Sequence, residues 1–70
     1  MRARVRILQD YESRNVSPGT VHRWRAGQED VLVGWEPTEK TGGIWGTDYD
    51  IDEAWLIPAN YVEVIAVLDP

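Results

Sequence analysis

The segment Trp55-Leu56-Ile57-Pro58-Ala59-Asn60-Tyr61-Val62-Glu63-Val64-Ile65 decides the fold that this sequence predicts. Its apolar start reaches Pro58, whose ring fixes φ and removes a backbone donor, so the strand before it must end there. The next residues, up to Tyr61, are enough for one helical turn, and Val62 to Val67 again have the apolar, β-branched character of a strand. The segment therefore predicts a strand, one 3-10 turn with a projecting tyrosine, and a last strand.

The rest of the chain divides into short strand-like segments separated by turn residues. Besides the last strand, strands are predicted at residues 3–9, 20–25, 31–36 and 54–57. Asp10 to Gly19 has the composition of a loop, and residues 26–30 are predicted to join the second and third strands as a hairpin. Within the polar stretch 36–53, residues 44–47 are predicted to form a short extra strand, because long structureless loops are uncommon in compact domains.

Two short motifs, one near each end of the chain, resemble those of a known family. Ile57-Pro58-Ala59-Asn60-Tyr61-Val62 resembles the closing Pro-Ser-Asn-Tyr-Val motif of Src-homology-3 (SH3) domains, and Ile7-Leu8-Gln9-Asp10-Tyr11 resembles their opening Ala-Leu-Tyr-Asp-Tyr motif. The resemblance implies an all-β fold: a five-stranded, SH3-like, partly open barrel with one 3-10 turn before the last strand. Residues 1–70 are expected to form a single domain of this kind, similar to the stand-alone small barrels of bacteria and phages.

The middle of the chain can be aligned with this family in two ways. In the first, residues 26–30 are the family's diverging turn, and Trp45 takes the place of the tryptophan in its ligand groove. In the second, residues 18–21 are that turn, Trp35 lies on the third strand, and residues 36–53 form an enlarged distal loop. Hairpin pairing favours the second alignment, whereas the spacing from Trp45 to Pro58 favours the first, so both remain open.

Composition limits the classes of function. The chain has 70 residues, no cysteine and a net charge of −5, so no disulfide or thiolate–metal site is available to a small core. The acidic balance argues against nonspecific nucleic-acid binding, although six of the seven basic residues lie in the first 25 positions. No apolar run is long enough to span a membrane. The absence of cysteine fits a cytoplasmic protein, and neither a cofactor nor a metal is expected.

The SH3 resemblance implies a binding surface for a protein or peptide segment. Its predicted residues are Tyr11, Trp45, Pro58, Asn60 and Tyr61, with Trp35 and Trp55 as alternative ridges. The family binds extended polyproline-II peptides on such flat aromatic walls, because these peptides lose little entropy on docking. The chain departs from the family where Gln9 replaces a tyrosine and where Trp55 replaces a glycine.

The function predicted from the sequence is therefore a non-catalytic protein-interaction module. The alternatives are a nucleic-acid-associated barrel that uses Arg2, Arg4 and Arg6 together with Arg23 and Arg25, an acidic inhibitor, or a subunit of a larger assembly. The alternating acidic residues of the segment 48–53 lack the pattern of a calcium loop and predict a solvated loop. The single histidine, His22, is predicted to face solvent beside Arg23.

Overall fold

A computed structural model describes residues 1–14, 20–35 and 43–69, and in this part of the chain the protein is all-β. The strands are antiparallel, and a single turn of 3-10 helix lies before the last of them. The elements are β1 (Arg2–Ile7), β2 (Tyr11–Arg14), β3 (Val21–Trp24), β4 (Glu29–Trp35), β5 (Ile44–Gly46), β6 (Leu56–Pro58), the 3-10 helix η1 (Ala59–Tyr61) and β7 (Val62–Asp69).

Five of these strands form one sheet in the order β6-β5-β4-β1-β7, and β2 pairs with β3 in a separate hairpin. β1 lies inside the sheet, with Val5 opposite Asp30 of β4 and Val64 of β7. Its alternating sequence explains this position: Ala3, Val5 and Ile7 are buried, and the arginines between them are exposed. The predicted first strand at 3–9 is thus confirmed, with slightly different ends.

The predicted hairpin between residues 20–25 and 31–36 is wrong. β3 pairs with β2, where Tyr11 lies opposite Trp24, and β4 pairs with β1 and β5 instead. The prediction of a loop from Asp10 to Gly19 is wrong for Tyr11–Arg14, and its part at 15–19 lies outside the described residues. Loop composition was misleading here because an antiparallel hairpin pairs through its backbone and buries only one face, so β2 needs few apolar residues.

Residues 25–28 form a turn that redirects the chain from the hairpin into the sheet. Gln28 donates its backbone N–H to the carbonyl of Arg25. Gly27 takes a φ of 88°, which residues other than glycine rarely adopt. Gly27 also donates to the carbonyl of Ile7, whose own N–H bonds to Gln28. The end of β1 is therefore fixed to the start of β4.

The short strand predicted at residues 44–47 is confirmed as β5, which pairs with β4 and β6. An uninterrupted loop from 36 to 53, as in the second alignment, is therefore wrong, and its part at 36–42 lies outside the described residues. The fourth predicted strand, at 54–57, is observed as β6, which extends to Pro58. The predicted turn is observed as η1, and β7 follows it directly.

The main core lies between the sheet and the hairpin. It consists of apolar side chains from β1, β3, β4, β5, β6 and β7: Ala3, Val5, Ile7, Trp24, Leu32, Trp45, Ile57 and Val62. The indole of Trp45 lies flat on Gly34, where an added Cβ would come within 2.9 Å of the ring. In the same way, Trp35 lies on Gly46 and beside Ala54. The two glycines therefore let large rings pack directly on the backbone of β4 and β5.

Candidate functional site: an aromatic row along the hairpin

Five rings contact one another in a row that begins at η1 and follows the β2–β3 hairpin. We call this set, in the order Tyr61, Tyr11, Trp24, His22 and Trp55, the aromatic row. Successive ring centroids are 5.0, 6.4, 4.3 and 5.6 Å apart. These separations lie close to the range in which aromatic rings attract each other, so the row is a continuous packed unit.

Tyr11 and Tyr61 form the outer end of the row, and both are half-buried. Their rings meet edge to face at an angle of 64°. The backbone brings them together, because the N–H of Leu8, just after β1, donates to the carbonyl of Tyr61 at 2.8 Å. The two tyrosines that the sequence placed in opposite end motifs are thus direct neighbours. A half-buried pair of phenols offers flat apolar area together with two hydroxyl groups.

Trp24 is the anchor of the row, since it is only 1% exposed and belongs to the main core. Its indole Nε1 donates to Oδ2 of Asp30 on β4 at 3.1 Å. Trp55 lies at the other end, is half-buried, and donates from Nε1 to the carbonyl of Thr20 at 3.3 Å. Both indole N–H groups therefore have acceptors, which fixes the ring orientations.

The prediction that His22 faces solvent is wrong. His22 and Trp24 are two residues apart on β3 and therefore share a face, so the imidazole packs between Trp24 and Trp55. The Nε2 atom of His22 is buried and has no hydrogen-bond partner among the described residues. Arg23, between them, points the other way and stays exposed.

An open groove of about 400 Å³ lies beside Tyr11 and Trp24. Its other lining residues are charged and come from both strands of the hairpin and their ends: Asp10, Glu12, Arg23 and Arg25. The volume is near the lower end of the range for small-ligand pockets. A groove lined by two aromatic and four charged residues suits a side chain or a short extended segment of a partner.

The charges at the groove are partly paired. Nε of Arg23 donates to Oε2 of Glu12 at 2.8 Å, and Arg14 approaches the other oxygen at 3.4 Å. The hydrogen bond from Arg23 lowers the pKa of the Glu12 carboxyl below its ordinary value. Asp10 accepts from the N–H of Ala26. Within the described residues, Arg25 has no acidic side chain at ion-pair distance.

The other predicted site residues differ in position and burial. Pro58 is half-buried at the start of η1, three positions before Tyr61, and Asn60 is exposed on the same turn. Trp45 is 7% exposed and lies in the main core, so its ring offers little binding surface. Of the two alternative ridges, Trp55 belongs to the aromatic row. Trp35 lies apart from it, on Gly46.

Sequence reasoning missed several residues that hold this region together. Ser13 is buried on β2, and its hydroxyl accepts from the backbone N–H of Leu56 on β6 at 3.0 Å. Trp24 and His22 were assigned to a strand but not to a site. In the pattern Val21-His22-Arg23-Trp24, His22 and Trp24 are two positions apart in a strand, which predicts that their rings share one face.

The arginines proposed as a nucleic-acid face are mostly in ion pairs. Arg2 contacts Asp69 and Arg6 contacts Glu63, both at 3.0 Å. Arg4 has no acidic partner within residues 1–14, 20–35 and 43–69. Such exposed pairs contribute little stability, but they reduce the positive field that phosphates would meet.

The acidic segment at 48–53 is exposed and bonds largely to its own backbone. Oδ1 of Asp50 accepts from the N–H of Asp52, and Oδ1 of Asp48 accepts from that of Tyr49. In the described part of the chain, no three His, Cys, Asp or Glu side chains are grouped so that they could hold a metal ion. That part also contains no helix with the length and apolar character needed to cross a membrane.

Comparisons with known proteins give this site no precedent: no protein-family model, no curated protein and no solved structure matches the chain.

Proposed function

We propose that this chain is a non-catalytic protein-interaction module that binds an extended segment of a partner protein on the surface around Tyr11 and Tyr61. The contact between these two rings, with centroids 5.0 Å apart, carries the proposal. Both rings are half-buried, so each is held by packing and still offers a face to a ligand. Rigid aromatic side chains of this kind are common binding hot spots, because few rotamers are lost on docking.

The same proposal assigns the chain to the SH3-like class as a partly open barrel with one 3-10 turn before its last strand. Two observations support it. The end motifs that suggested the family lie side by side, and the turn at residues 25–28 together with β5 follows the first of the two alignments. In that alignment Trp45 was the groove tryptophan, but its ring is buried, so the binding surface consists of Tyr11, Tyr61, Pro58 and Asn60 without it.

The partner expected at this surface is a proline-containing segment in an extended conformation. Flat aromatic rings suit polyproline-II chains, which are ordered before they bind, and Pro58 precedes Tyr61 by three positions in the chain. The adjoining groove, with Arg25 unpaired within the described residues and Glu12 already occupied by Arg23, gives room for one further side chain.

The arginine-rich strands support a nucleic-acid role less well. Arg2 and Arg6, near the two ends of β1, are in ion pairs with Asp69 and Glu63. A chain of net charge −5 also gains little from phosphate neutralisation. Salt dependence separates the two functions, because phosphate contacts weaken steeply as salt increases, whereas docking on aromatic rings depends on salt only weakly.

The proposal is tested by titrating the ¹⁵N-labelled protein with a library of proline-rich peptides and following the amide and ring resonances. Binding is expected to shift the signals of Tyr11 and Tyr61, and Tyr11→Ala or Tyr61→Ala should weaken it by at least about tenfold, as hot-spot truncations do. Tyr49→Ala is the matched control, because Tyr49 is exposed and lies outside the aromatic row. A bound partner whose affinity is unchanged by both tyrosine variants would refute the proposal.

A further inference from the structure

The groove beside Trp24 adjoins the surface that we propose to bind a partner, because Tyr11 belongs to both. Tyr11 contacts Tyr61 at a centroid distance of 5.0 Å and also lines the groove. The ring centroids of Tyr11 and Trp24 are 6.4 Å apart. That distance equals about two residues of a polyproline-II chain, which rises by about 3.1 Å per residue. An extended segment that docks on the two tyrosines therefore reaches the groove with a residue close to its point of contact.

The carboxylates at the groove are already engaged within the molecule. One oxygen of Glu12 accepts from Nε of Arg23 at 2.8 Å, and the other accepts from Arg14 at 3.4 Å. Oδ1 of Asp10 accepts from the backbone N–H of Ala26 at 2.8 Å. A basic side chain that entered the groove would compete with these bonds for the same carboxylates. The groove is therefore poorly suited to select a lysine or an arginine of a partner.

Arg25 differs from the other charged residues of the groove. Its backbone is fixed, because its N–H donates to Oε1 of Gln28 at 3.1 Å and its carbonyl accepts from the N–H of Gln28 at 3.0 Å. Its guanidinium, in contrast, has no acidic side chain at ion-pair distance within the ranges 1–14, 20–35 and 43–69. A cation on a fixed backbone loses less freedom when it binds an anion, and a guanidinium can bond both oxygens of a carboxylate.

The local balance of charge at the groove is opposite to that of the whole chain. The two carboxylates are accompanied by three arginines, so this region has a surplus of one positive charge: Asp10 and Glu12 against Arg14, Arg23 and Arg25. The chain as a whole has a net charge of −5. Complementary charge guides partners to a surface and suppresses wrong ones. A negative side chain is therefore the group that this groove complements.

We propose that the groove accepts an aspartate or glutamate side chain of the partner segment, and that its carboxylate pairs with the guanidinium of Arg25. This inference rests on the function proposed for Tyr11 and Tyr61, and it names the feature by which partners are selected. The preferred partner is then an extended, proline-containing segment with an acidic residue about two positions from the residue that contacts the tyrosines.

The test uses three sets of peptides that share one proline-rich core and carry Glu, Gln or Lys at the second position on either side of it. Both peptide ends are blocked, so the glutamate side chain is the only carboxylate. Titration of the ¹⁵N-labelled protein gives the dissociation constants. The Glu set should bind about twofold to fivefold more tightly than the Gln set, which is the effect of an exposed ion pair. The Lys set should bind no more tightly than the Gln set, and the advantage of Glu should decrease as salt increases.

Arg25→Gln should remove the preference for Glu over Gln. The bonds between residues 25 and 28 are made by the backbone of Arg25, so this variant keeps them, and circular dichroism verifies its fold. Arg4→Gln is the matched control, because it makes the same change of net charge. Arg4 is exposed on β1, has no acidic partner in the described part of the chain, and does not line the groove. Arg4→Gln should keep the preference for Glu.

Equal affinities of the Glu and Gln sets for the wild-type protein would overturn the proposal. An equal loss of the preference in Arg25→Gln and Arg4→Gln would do so as well, since it would reflect net charge alone. Tighter binding of the Lys set would assign the groove to basic side chains. Failure of the proposed function gives a different result: no set binds, or every set binds Tyr61→Ala as tightly as the wild type. That result would overturn this proposal together with the function on which it rests.

Discussion

The five-stranded sheet and the β2–β3 hairpin are held in place by different forces. In the sheet, backbone ladders join each strand to its neighbours, and β1 is paired along both edges. The hairpin has no ladder to the sheet in the described chain. Its attachments are the buried ring of Trp24, the hydroxyl of Ser13 on Leu56 and the indole of Trp55 on Thr20.

This difference shows that so small a domain can join two units in different ways: the sheet through its backbone and the hairpin through a few side chains. Backbone ladders depend little on side-chain identity, so the sheet tolerates the exposed arginines of β1. The hairpin depends on a few named side chains, and it carries Tyr11, one of the two rings that we propose to bind a partner. The predictions below change side chains of the hairpin, and the first two compare the result with a variant outside it.

The largest effect is expected for Trp24→Ala. Trp24 is almost fully buried and joins the hairpin to the core and, through its indole, to Asp30. Truncating a buried tryptophan costs about 3–5 kcal/mol, which is a large part of the stability of a domain of this size. Urea denaturation should show this loss, with Tyr49→Ala within about 0.5 kcal/mol of wild type. A loss for Trp24→Ala below 1 kcal/mol, roughly the size of a surface effect, would mean that the hairpin does not complete the core.

Ser13→Ala should cost less, roughly 1–1.5 kcal/mol, because it removes the side-chain acceptor of the partly buried N–H of Leu56. The matched variant is Thr47→Val, which removes the acceptor of the Trp55 N–H within the β5–β6 connection. Both should lower the free energy of unfolding. Only Ser13→Ala should also speed hydrogen exchange along β2 and β3 relative to β1, so equal exchange profiles would count against a side-chain attachment of the hairpin.

His22→Phe is expected to raise the free energy of unfolding by about 1 kcal/mol. The buried Nε2 atom has no partner in the described residues, and an apolar ring of similar shape removes that unsatisfied group while keeping the contacts with both tryptophans. His22→Ala should be destabilising instead, since it deletes the ring. A loss of stability on His22→Phe would show that the nitrogen has a partner in solution.

The smallest effect concerns pH. Because the hydrogen bond from Arg23 lowers the pKa of Glu12 in the folded protein, the stabilisation from this pair is present above the unfolded pKa, near 4.5, and is lost as the pH falls through the folded pKa. Melting temperatures of Glu12→Gln should therefore fall less steeply than those of the wild type below about pH 4.5. Arg23→Gln should make the decrease of the melting temperature with falling pH less steep in the same way. If both variants keep the wild-type slope below about pH 4.5, the Glu12–Arg23 pair is not the cause of that decrease.

Local sequence was sufficient to predict the secondary structure at the two ends of the chain. The alternation of β1 and the proline that precedes η1 act through neighbouring residues, so the first strand, the helical turn and the last strand lie close to their predicted places. The contact of Tyr11 with Tyr61 followed from the resemblance to a family, not from the periodicity of the residues.

The strand pairing in the middle of the chain was harder to predict, because the paired strands are distant in sequence. β4 could pair with β3 next to it in sequence or with the distant β1, and both have suitable side chains. In the structure, backbone bonds of Ile7 with Gly27 and Gln28 join the end of β1 to the turn that precedes β4, and Gly27 takes a positive φ in that turn. A sequence pattern records which residues favour strands, but it does not record which strand each will meet.

The sequence by itself determined the all-β character, the position of the closing turn and the alternation that buries one side of β1, because these depend on backbone restriction and residue spacing. Only the tertiary structure decided that Trp45 is a core residue, that His22 packs between two tryptophans, and that the apolar side chains of β7 remain uncovered. Burial is a property of the surroundings, and the same apolar side chain is either core or surface according to what packs against it.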